Sequence, residues 1–172
     1  MGKIELKSIE GYKAFNSDMT NNYGYKFEEG VTYRVDGDVA FGVNGNGFHM
    51  CRRLEDTCRY IAGHNMIITK VTGSGDICEG YDDYNEYYDM YSTSEITINH
   101  IMSREEVISE MLGKSELAVC RFIVTGYELT SQEVELFRAN FASSLMVNQF
   151  LDFYALGDTE AFSRNLSHRY GK

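Results

Sequence analysis

The chain has 172 residues, a formal net charge of −10 and a pI of about 4.8. This acidic balance argues against a surface that binds DNA, RNA or anionic lipid, because those ligands need a basic patch. No apolar stretch reaches the length of a membrane span, and the opening residues MGKIELKSIEG lack the apolar run of a signal peptide. We therefore expect a cytoplasmic protein.

The first 80 residues contain twelve of the sixteen glycines, and they predict short strands separated by turns. Asp36-Gly37 and the Asn44-Gly45-Asn46-Gly47 run are turn sequences, since these residues tolerate positive φ. Apolar residues at helical spacing predict a short helix over residues 52–62. The predicted strands are residues 11–15, 31–35, 38–43, 48–51, 66–71 and 95–101.

After residue 102 the pattern becomes helical. Ser103 with Glu106, and Thr130 with Glu133, have the spacing of capping boxes, which begin helices. The predicted helices are residues 103–112, 115–124, 131–156 and 159–168. The longest of them is heavily apolar, so we expect these four of its side chains to be mostly buried, within the monomer or at a homodimer contact: Phe137, Phe141, Leu145 and Tyr154.

These patterns predict an α+β fold. A small strand-rich N-terminal module, residues 1–102, is followed by a helical C-terminal subdomain, residues 103–172, packed on it. A single continuous domain is the alternative arrangement. A homodimer through the C-terminal helices is a further expectation.

Residues 71–103 contain seven carboxylates and five tyrosines but no lysine or arginine. We expect residues 76–95 to form an exposed loop or irregular excursion between two strands, because apolar periodicity is lacking where charge is high. An anionic surface with aromatic rings resembles a nucleic acid, so it favours a partner with a basic groove. The alternative is that the acidic run only keeps the protein soluble. The predicted partner-binding residues are Tyr81, Asp82, Asp83, Tyr84, Glu86, Tyr87, Tyr88, Asp89 and Tyr91.

No cofactor or metal site is predicted. His49, Cys51, Cys58 and Cys78 lack the tight ligand pair of a zinc site, so the cysteines are interpreted as reduced thiols packed like small hydrophobes. The carboxylates after Gly80 lack the ligand ladder of a calcium loop. The chain also has no nucleophile elbow, P-loop, G-x-G-x-x-G or HExxH motif, so no catalytic residues are assigned on motifs.

The stretches GYKAFNSDMT, FEEGVTYRVDGDV and GNGFHMCRRLEDTCRYI, followed by the late Ile96-Thr97-Ile98, resemble a family of small uncharacterised domains of phages and mobile elements. The shared feature is the order of a KAFN-DMT opening, a G-F-H-x-C strand and an I-x-I strand. The resemblance covers roughly residues 11–102. It implies a mobile-element origin and brings no settled activity with it.

A weaker analogy is to ADP-ribosyltransferase folds, in which a basic residue, an aromatic residue and a late glutamate bind and cleave NAD. By order along the chain the corresponding residues are Arg34, Tyr60 and Glu95. The analogy implies a grip on the nicotinamide ribose and a carboxylate that stabilises developing positive charge. No complete triad motif surrounds these residues.

Two functions are therefore expected. The first is a small acidic accessory protein that binds and inhibits a host protein with a basic nucleic-acid-binding surface, such as a CRISPR-associated nuclease. Tyrosine suits such an interface because it offers a large contact area at low entropic cost. The second is an NAD-binding enzyme of the ADP-ribosyltransferase type, or its inactive relative.

Overall fold

The computed structural model describes residues 7–42, 45–58, 61, 65–82 and 85–157, with the side chains of 81, 82 and 85–88 outside this description. Contacts divide the chain into two compact units, with the boundary between Met102 and Ser103. The N-terminal unit contains the strands and the C-terminal unit contains the longer helices. The fold is therefore α+β, as the sequence predicts. No helix in the described part of the chain is long and apolar enough to cross a membrane.

The N-terminal unit is built on five antiparallel strands whose pairings form a ring. The strands are β1 (Ser8–Phe15), β2 (Thr32–Arg34), β3 (Phe48–Cys51), β4 (Ile67–Asp82) and β5 (Asn85–Ile101). β1 pairs with β4, β4 with β5, β5 with β3, and β3 returns to β1. β2 adds to β5 beside β3. The sheet thus wraps around its own core.

That core contains large apolar side chains from every strand except β2, together with Phe27 of the loop after β1. Its buried members are Ile9, Phe15, Phe27, Met50, Val71, Ile77, Tyr91, Ile96 and Ile98. The ring of Phe27 lies 4.9 Å from that of Phe15 and 4.7 Å from that of Tyr33, between centroids. Burial of these side chains is the main driving force for closing the sheet.

Five predicted strands are confirmed, but the strand predicted over residues 38–43 is wrong in its described part, residues 38–42. The polypeptide there is held as a loop by the Asn46 side chain, which donates to the backbone oxygens of Asp36 and Asp38. The helix predicted over 52–62 has one described turn, α1 (Leu54–Thr57). Residues 59, 60 and 62 of that prediction lie outside the described residues.

The prediction of a loop over residues 76–95 is wrong. The described residues of this range, 76–82 and 85–95, form the distal part of one long hairpin made by β4, with 16 residues, and β5, with 17. Ile77, Met90 and Thr93 are buried in it. The segment is ordered by backbone hydrogen bonds between β4 and β5, so it does not need alternating apolar residues. Its many tyrosines are the sequence feature that indicates strands, because tyrosine favours β-structure.

Gly75 makes a bulge that bends this hairpin. Ser74 pairs with Glu95 and Ile77 pairs with Thr93, so Gly75 and Asp76 together face only Ser94. Gly75 has φ +75, and a Cβ there would lie 2.2 Å from Ser94 Oγ. The Asp76 N–H donates to the same Ser94 oxygen at 2.8 Å. Only glycine satisfies both the backbone angle and the close approach.

The C-terminal unit contains four described helices. They are α2 (Arg104–Leu112), α3 (Glu116–Ile123), α4 (Ser131–Asn140) and α5 (Leu145–Ala155). Both predicted capping boxes are present, because Ser103 and Thr130 accept from the N–H groups of Glu106 and Glu133, whose carboxylates bond back. The helix predicted over 159–168 lies outside the described residues.

The long helix predicted over residues 131–156 is wrong, because a break after Asn140 divides it into α4 and α5. Phe141 ends α4 with φ −114 and ψ 35. Ser144 then caps α5 by accepting from the Val147 N–H. The Asn148 side chain bonds the carbonyls of Phe141 and Ser144, which fixes the turn. A serine N-cap within an apolar stretch overrides the helical periodicity.

The break also changes which of the four predicted side chains are buried. Phe137 is fully buried, Phe141 and Tyr154 are half-buried, and Leu145 is 74% exposed. The prediction of burial is therefore wrong for Leu145. Phe153 and Leu156 are exposed as well, so α5 has an apolar surface on the side opposite its buried residues.

Arg104 joins the beginnings of α2 and α4. Its guanidinium donates to both carboxylate oxygens of Glu133, at 2.5 and 2.7 Å, and to the backbone oxygen of Glu128. It also lies 5.1 Å from the centre of the Tyr127 ring. A bidentate pair of this kind is among the stronger surface interactions.

We predict that Gly75→Ala lowers the free energy of unfolding by about 2 kcal/mol, because a left-handed backbone angle penalises any Cβ. Gly113→Ala is the matched control. Gly113 has φ −88, and an added Cβ meets its nearest neighbour at an ordinary 3.6 Å. Chemical denaturation of the two variants measures the difference. Equal unfolding midpoints would contradict the role given to the bulge.

Candidate functional site: an acidic hairpin

The distal part of the β4–β5 hairpin, residues 76–89, is here called the acidic hairpin. The pairing of β4 with β1 ends at Ser74, and the pairing of β5 with β3 ends at Met90. A backbone bond from the Arg52 N–H to the Asp89 oxygen, 2.8 Å, extends the second contact by one residue. Beyond it the described backbone is a two-stranded ribbon, in which Asp82 pairs with Asn85.

Six acidic residues fall within residues 76–89, and the chain has no lysine or arginine between Lys70 and Arg104. From residue 76 to residue 82 the ribbon is about 20 Å long, at about 3.4 Å per residue. The six are Asp76, Glu79, Asp82, Asp83, Glu86 and Asp89. Three of them, Asp76, Glu79 and Asp82, recur at every third position of β4, which places their backbones about 10 Å apart.

Tyr91 and Asp89 anchor the root of the acidic hairpin to the rest of the unit. The Tyr91 hydroxyl donates to Asp89 Oδ1 at 2.8 Å, and Asp89 Oδ2 lies 4.0 Å from Arg52 Nη1. Burial of the ring, and then the Asp89 carboxylate, raise the pKa of Tyr91 to about 12. The hydroxyl thus remains protonated at neutral pH and can keep donating this bond.

Phe41 packs against the same root from the loop before β3. Its ring lies on the backbone of Gly80, where an added Cβ would be 2.4 Å from the nearest ring carbon. The other side of the contact is His49, whose ring centroid is 4.7 Å from that of Phe41. The Gly42 N–H donates to His49 Nε2 at 3.2 Å. The loop and the hairpin therefore meet at Gly80.

Lys13 is a basic residue on the core-facing side of β1, and its side chain extends to β3, the strand that contains His49. Its Nζ donates to the His49 backbone oxygen at 2.5 Å and lies 5.8 Å from the centre of the Phe15 ring. Burial lowers the pKa of Lys13 to about 8. Burial, followed by the positive charge of Lys13, also lowers the pKa of His49.

The structure describes the predicted partner-binding residues to different extents. Tyr81 and Asp82 lie on β4, and Glu86, Tyr87 and Tyr88 lie on β5, although only their backbone is described; Asp83 and Tyr84 lie outside the described residues. Asp89 is at the root and engaged with Tyr91. Tyr91 itself is 4% exposed and belongs to the core, so it contributes to stability and not to the exposed surface.

Of the residues suggested by the ADP-ribosyltransferase analogy, the structure brings two together. Arg34 and Glu95 are cross-strand neighbours on β2 and β5, joined by an ion pair of 2.8 Å. Ser74 also donates to the Glu95 carboxylate at 3.3 Å. Arg34 is largely exposed, so the pair is a solvated pair on the sheet surface. Tyr60 lies outside the described residues.

The cysteines and histidines are spread through the unit. Cys51 and Cys58 are buried, and Cys78 is partly exposed on β4. Among the described residues, no three side chains of His, Cys, Asp or Glu are grouped in a way that could hold a metal ion. His49 uses Nε2 as a hydrogen-bond acceptor within the protein.

Sequence reasoning missed the residues that position the acidic hairpin. Gly75 and Gly80 lie in a segment interpreted as a loop, where glycine carries no special information. Within a strand, however, an isolated glycine indicates a bulge or a close approach of another group. Recognising the strand would therefore have indicated a bulge or a close approach at Gly75 and Gly80, although the sequence does not show that Phe41 is the approaching side chain.

The N-terminal unit is thus an antiparallel strand ring with one acidic hairpin. The chain belongs to a family of domains of unknown function, DUF7666, whose family model matches residues 9–110. The match extends from β1 to the last turn of α2, and so includes the whole acidic hairpin. No curated protein and no solved structure matches the chain.

We predict that Tyr91→Phe lowers the free energy of unfolding by about 1–2 kcal/mol, because it removes a hydrogen bond to a carboxylate. Tyr25→Phe is the control, since that side chain is 70% exposed. Thermal or urea unfolding at pH 7 measures how much stability each variant loses when its tyrosine hydroxyl is removed. If both variants unfold like the wild type, the Tyr91–Asp89 bond does not anchor the hairpin.

We also predict that Lys13→Met makes the protein about 2 kcal/mol more stable at pH 7, because it removes the cost of a buried ammonium group. A folded-state pKa of about 8, below the ordinary 10.5, means that the unfolded wild type binds more protons between these values. The free energy of unfolding of the wild type therefore rises relative to that of the variant from pH 8 to pH 10.5. The stability difference between the two proteins becomes smaller over this range.

Urea unfolding at several pH values tests this prediction. Lys26→Met is the control, because Lys26 is exposed and the stability difference between this variant and the wild type should not change with pH. The raised pKa values of Cys120 and Tyr91, each about 12, lower stability at high pH in wild type and variants alike, so they cancel in the difference. A gap for Lys13→Met that does not change with pH would show that its ammonium group is well solvated.

Proposed function

We propose that this protein binds and inhibits a host protein by placing its acidic hairpin on a basic surface that normally binds nucleic acid. The observation that carries the proposal is the concentration of acidic residues in the hairpin, since six fall within residues 76–89 and no lysine or arginine lies among them. Complementary potentials of this kind mainly accelerate association and select the partner.

The position of the charge supports this proposal over simple solubility. A solubilising charge needs no particular place on the surface. Here six acidic residues are concentrated in the sequence of residues 76–89, and no basic residue accompanies them. The described backbone of this segment continues past the pairing with β1 and β3. Like charges on paired strands reduce stability, so their concentration needs an advantage elsewhere.

The proposed partner class is an RNA-guided nuclease of a CRISPR system, whose channel is lined with basic residues that hold nucleic acid. The proposed origin in phages or mobile elements, inferred from the order of the KAFN-DMT, G-F-H-x-C and I-x-I motifs, is consistent with an inhibitor of host defence. The five tyrosines of the segment suit an interface, although Tyr91 is excluded from it by burial.

Two other expectations stay predictions. The NAD-binding enzyme would need Glu95 available to a substrate, whereas Arg34 and Ser74 engage its carboxylate. The homodimer through the C-terminal helices would use apolar side chains such as Leu145 and Leu156, which are exposed on and just after α5.

The test is the association rate with a guide-loaded Cas9-type nuclease between 50 and 300 mM salt. The variant Asp82→Asn, Asp83→Asn, Glu86→Gln removes three charges and leaves the Asp89 anchor intact. We predict that it folds normally, because it keeps the Asp89 anchor and removes only like charges, which repel one another. Its association at low salt should be about tenfold slower than that of wild type, with a flatter salt dependence.

The matched control is Glu28→Gln, Asp36→Asn, Asp38→Asn. It also removes three negative charges, but from exposed positions elsewhere in the N-terminal unit. The control should associate nearly as fast as wild type. Equal association rates for the two triple variants would mean that the acidic hairpin acts only through the net charge of the protein. If the wild type does not bind the nuclease, this partner class is excluded.

A further inference from the structure

We propose that β2 is a dimerisation edge, at which two copies of the protein join their sheets by pairing β2 with β2 in antiparallel orientation about a twofold axis at Tyr33. The contact is separate from the acidic hairpin and from the C-terminal helices. It needs no other partner, so it does not depend on the function proposed above.

β2 is the strand at which the ring of strands has an open edge. Each of the other described strands pairs with two or three neighbours, whereas β2 pairs with β5 alone. An edge strand presents a row of backbone N–H and C=O groups that no neighbour binds, and such a row is a template for a further strand.

The hydrogen bonds between β2 and β5 show which backbone groups face outward. The Val31 oxygen accepts a bond from β5 at 3.1 Å, and the Val35 N–H donates one to β5 at 2.9 Å. Alternate residues make these bonds in an antiparallel pair, so the backbone groups of Thr32 and Arg34 point away from β5. Both residues are exposed, and no other described strand occupies that side of β2.

The side chains of β2 leave this edge accessible. Natural edge strands are commonly protected by lysine, proline or a bulge, but residues 31–35 read VTYRV, which has strong β-propensity and contains neither lysine nor proline. The charge of Arg34 is paired with Glu95 on β5, 2.8 Å away. Thr32 also turns towards β5, since its hydroxyl oxygen lies 2.7 Å from that of Thr97.

A second copy fits this edge because the edge is complementary to itself. With Tyr33 at the twofold axis, Thr32 of each copy lies opposite Arg34 of the other copy. Both residues direct their backbone groups outward, so each such pair exchanges two hydrogen bonds. The register centred on Arg34 is disfavoured, because it places two arginines directly opposite each other.

The other face of β2 supplies apolar contacts in the same register. Val31, Tyr33 and Val35 alternate on this face and are half-buried. Across the axis Val31 lies opposite Val35 of the other copy, and the two Tyr33 residues lie opposite each other. Cross-strand pairs of β-branched and aromatic residues are favourable, and pairing covers apolar area that the single chain leaves exposed.

The antiparallel arrangement also keeps the negative charges of the two copies apart. β5 runs antiparallel to β2, so the β5 strands of the two copies run in opposite directions on either side of the joined edges. The two acidic hairpins therefore extend towards opposite ends of the joined sheet. Repulsion between them is screened, because charges separated by more than about 10 Å interact weakly at 0.1 M salt.

One short strand from each copy makes a small interface, so we expect a weak dimer that depends on protein concentration. The experiment is sedimentation velocity of the full chain from about 20 μM to about 1 mM, with amide hydrogen exchange measured by NMR at both ends of this range. When two thirds of the chains are paired, the amides of Thr32 and Arg34 should exchange about threefold more slowly. The Tyr33 amide faces β5 and should not change.

Two substitutions of Thr32 test the register. Thr32→Lys places a positive charge opposite Arg34 of the other copy and should weaken the dimer about tenfold, whereas Thr32→Glu places an opposite charge there and should strengthen it. Ser8→Lys is the matched control, because it adds the same charge at an exposed position of β1 and should leave the dimer unchanged. Leu145→Glu changes the exposed side of α5 and should also have no effect.

A protein that stays monomeric at the highest concentration, with Thr32 and Arg34 amides that exchange as fast as at the lowest, would overturn the proposal. A dimer that Leu145→Glu abolishes and Thr32→Lys does not weaken would assign the contact to the C-terminal helices, and would overturn it too. Because the two Thr32 variants are expected to act in opposite directions, a general loss of folding cannot reproduce the predicted pattern. Equal weakening by both variants would therefore contradict the proposed register.

Discussion

The backbone pairing of β4 with β5 is the interaction on which the N-terminal unit depends. β1 attaches to β4, and β2 and β3 attach to β5, so each of the other strands needs this hairpin as its template. The core is enclosed because β3 also reaches β1, at Tyr12 and Cys51. Gly11 makes this approach possible, since a Cβ there would lie 2.3 Å from the Cys51 oxygen.

The same hairpin serves two opposed physical demands. Its first half is buried in the core, where Val71, Ile96 and Ile98 supply apolar area. Its distal half carries charges of one sign, and water and salt screen the repulsion between them. The root between these halves is held by Tyr91, Asp89 and Phe41. A protein built in this way can present a strongly anionic element without placing the charges against its core.

Sequence reasoning recovered the elements whose signals are local. The capping boxes at Ser103 and Thr130 predicted the beginnings of α2 and α4, since capping depends on residues only three positions apart. The α+β order followed from the change in periodicity near residue 102. The break at Phe141 was missed because apolar periodicity continues through it, and a serine cap is a weaker pattern than a run of large apolar residues.

The candidate site was predicted in composition but not in structure. The carboxylates and tyrosines are visible in the sequence, whereas the pairing that arranges them joins positions such as Glu79 and Tyr91, for which no local pattern exists. The burial of Tyr91 follows from that pairing, and nothing in the sequence distinguishes Tyr91 from the other tyrosines of the segment. Lys13, likewise, has the appearance of an ordinary strand lysine until β3 is placed beside it.

The central claim is that the acidic segment is an ordered continuation of the hairpin and not a loop. Cross-strand nuclear Overhauser effects in the free protein test it most directly. The structure predicts contacts between the backbone protons of opposed pairs beyond the bulge, including Glu79 with Tyr91 and Gly80 with Met90. Their absence, together with random-coil shifts across residues 76–89, would contradict the claim and return the acidic run to a solvated loop.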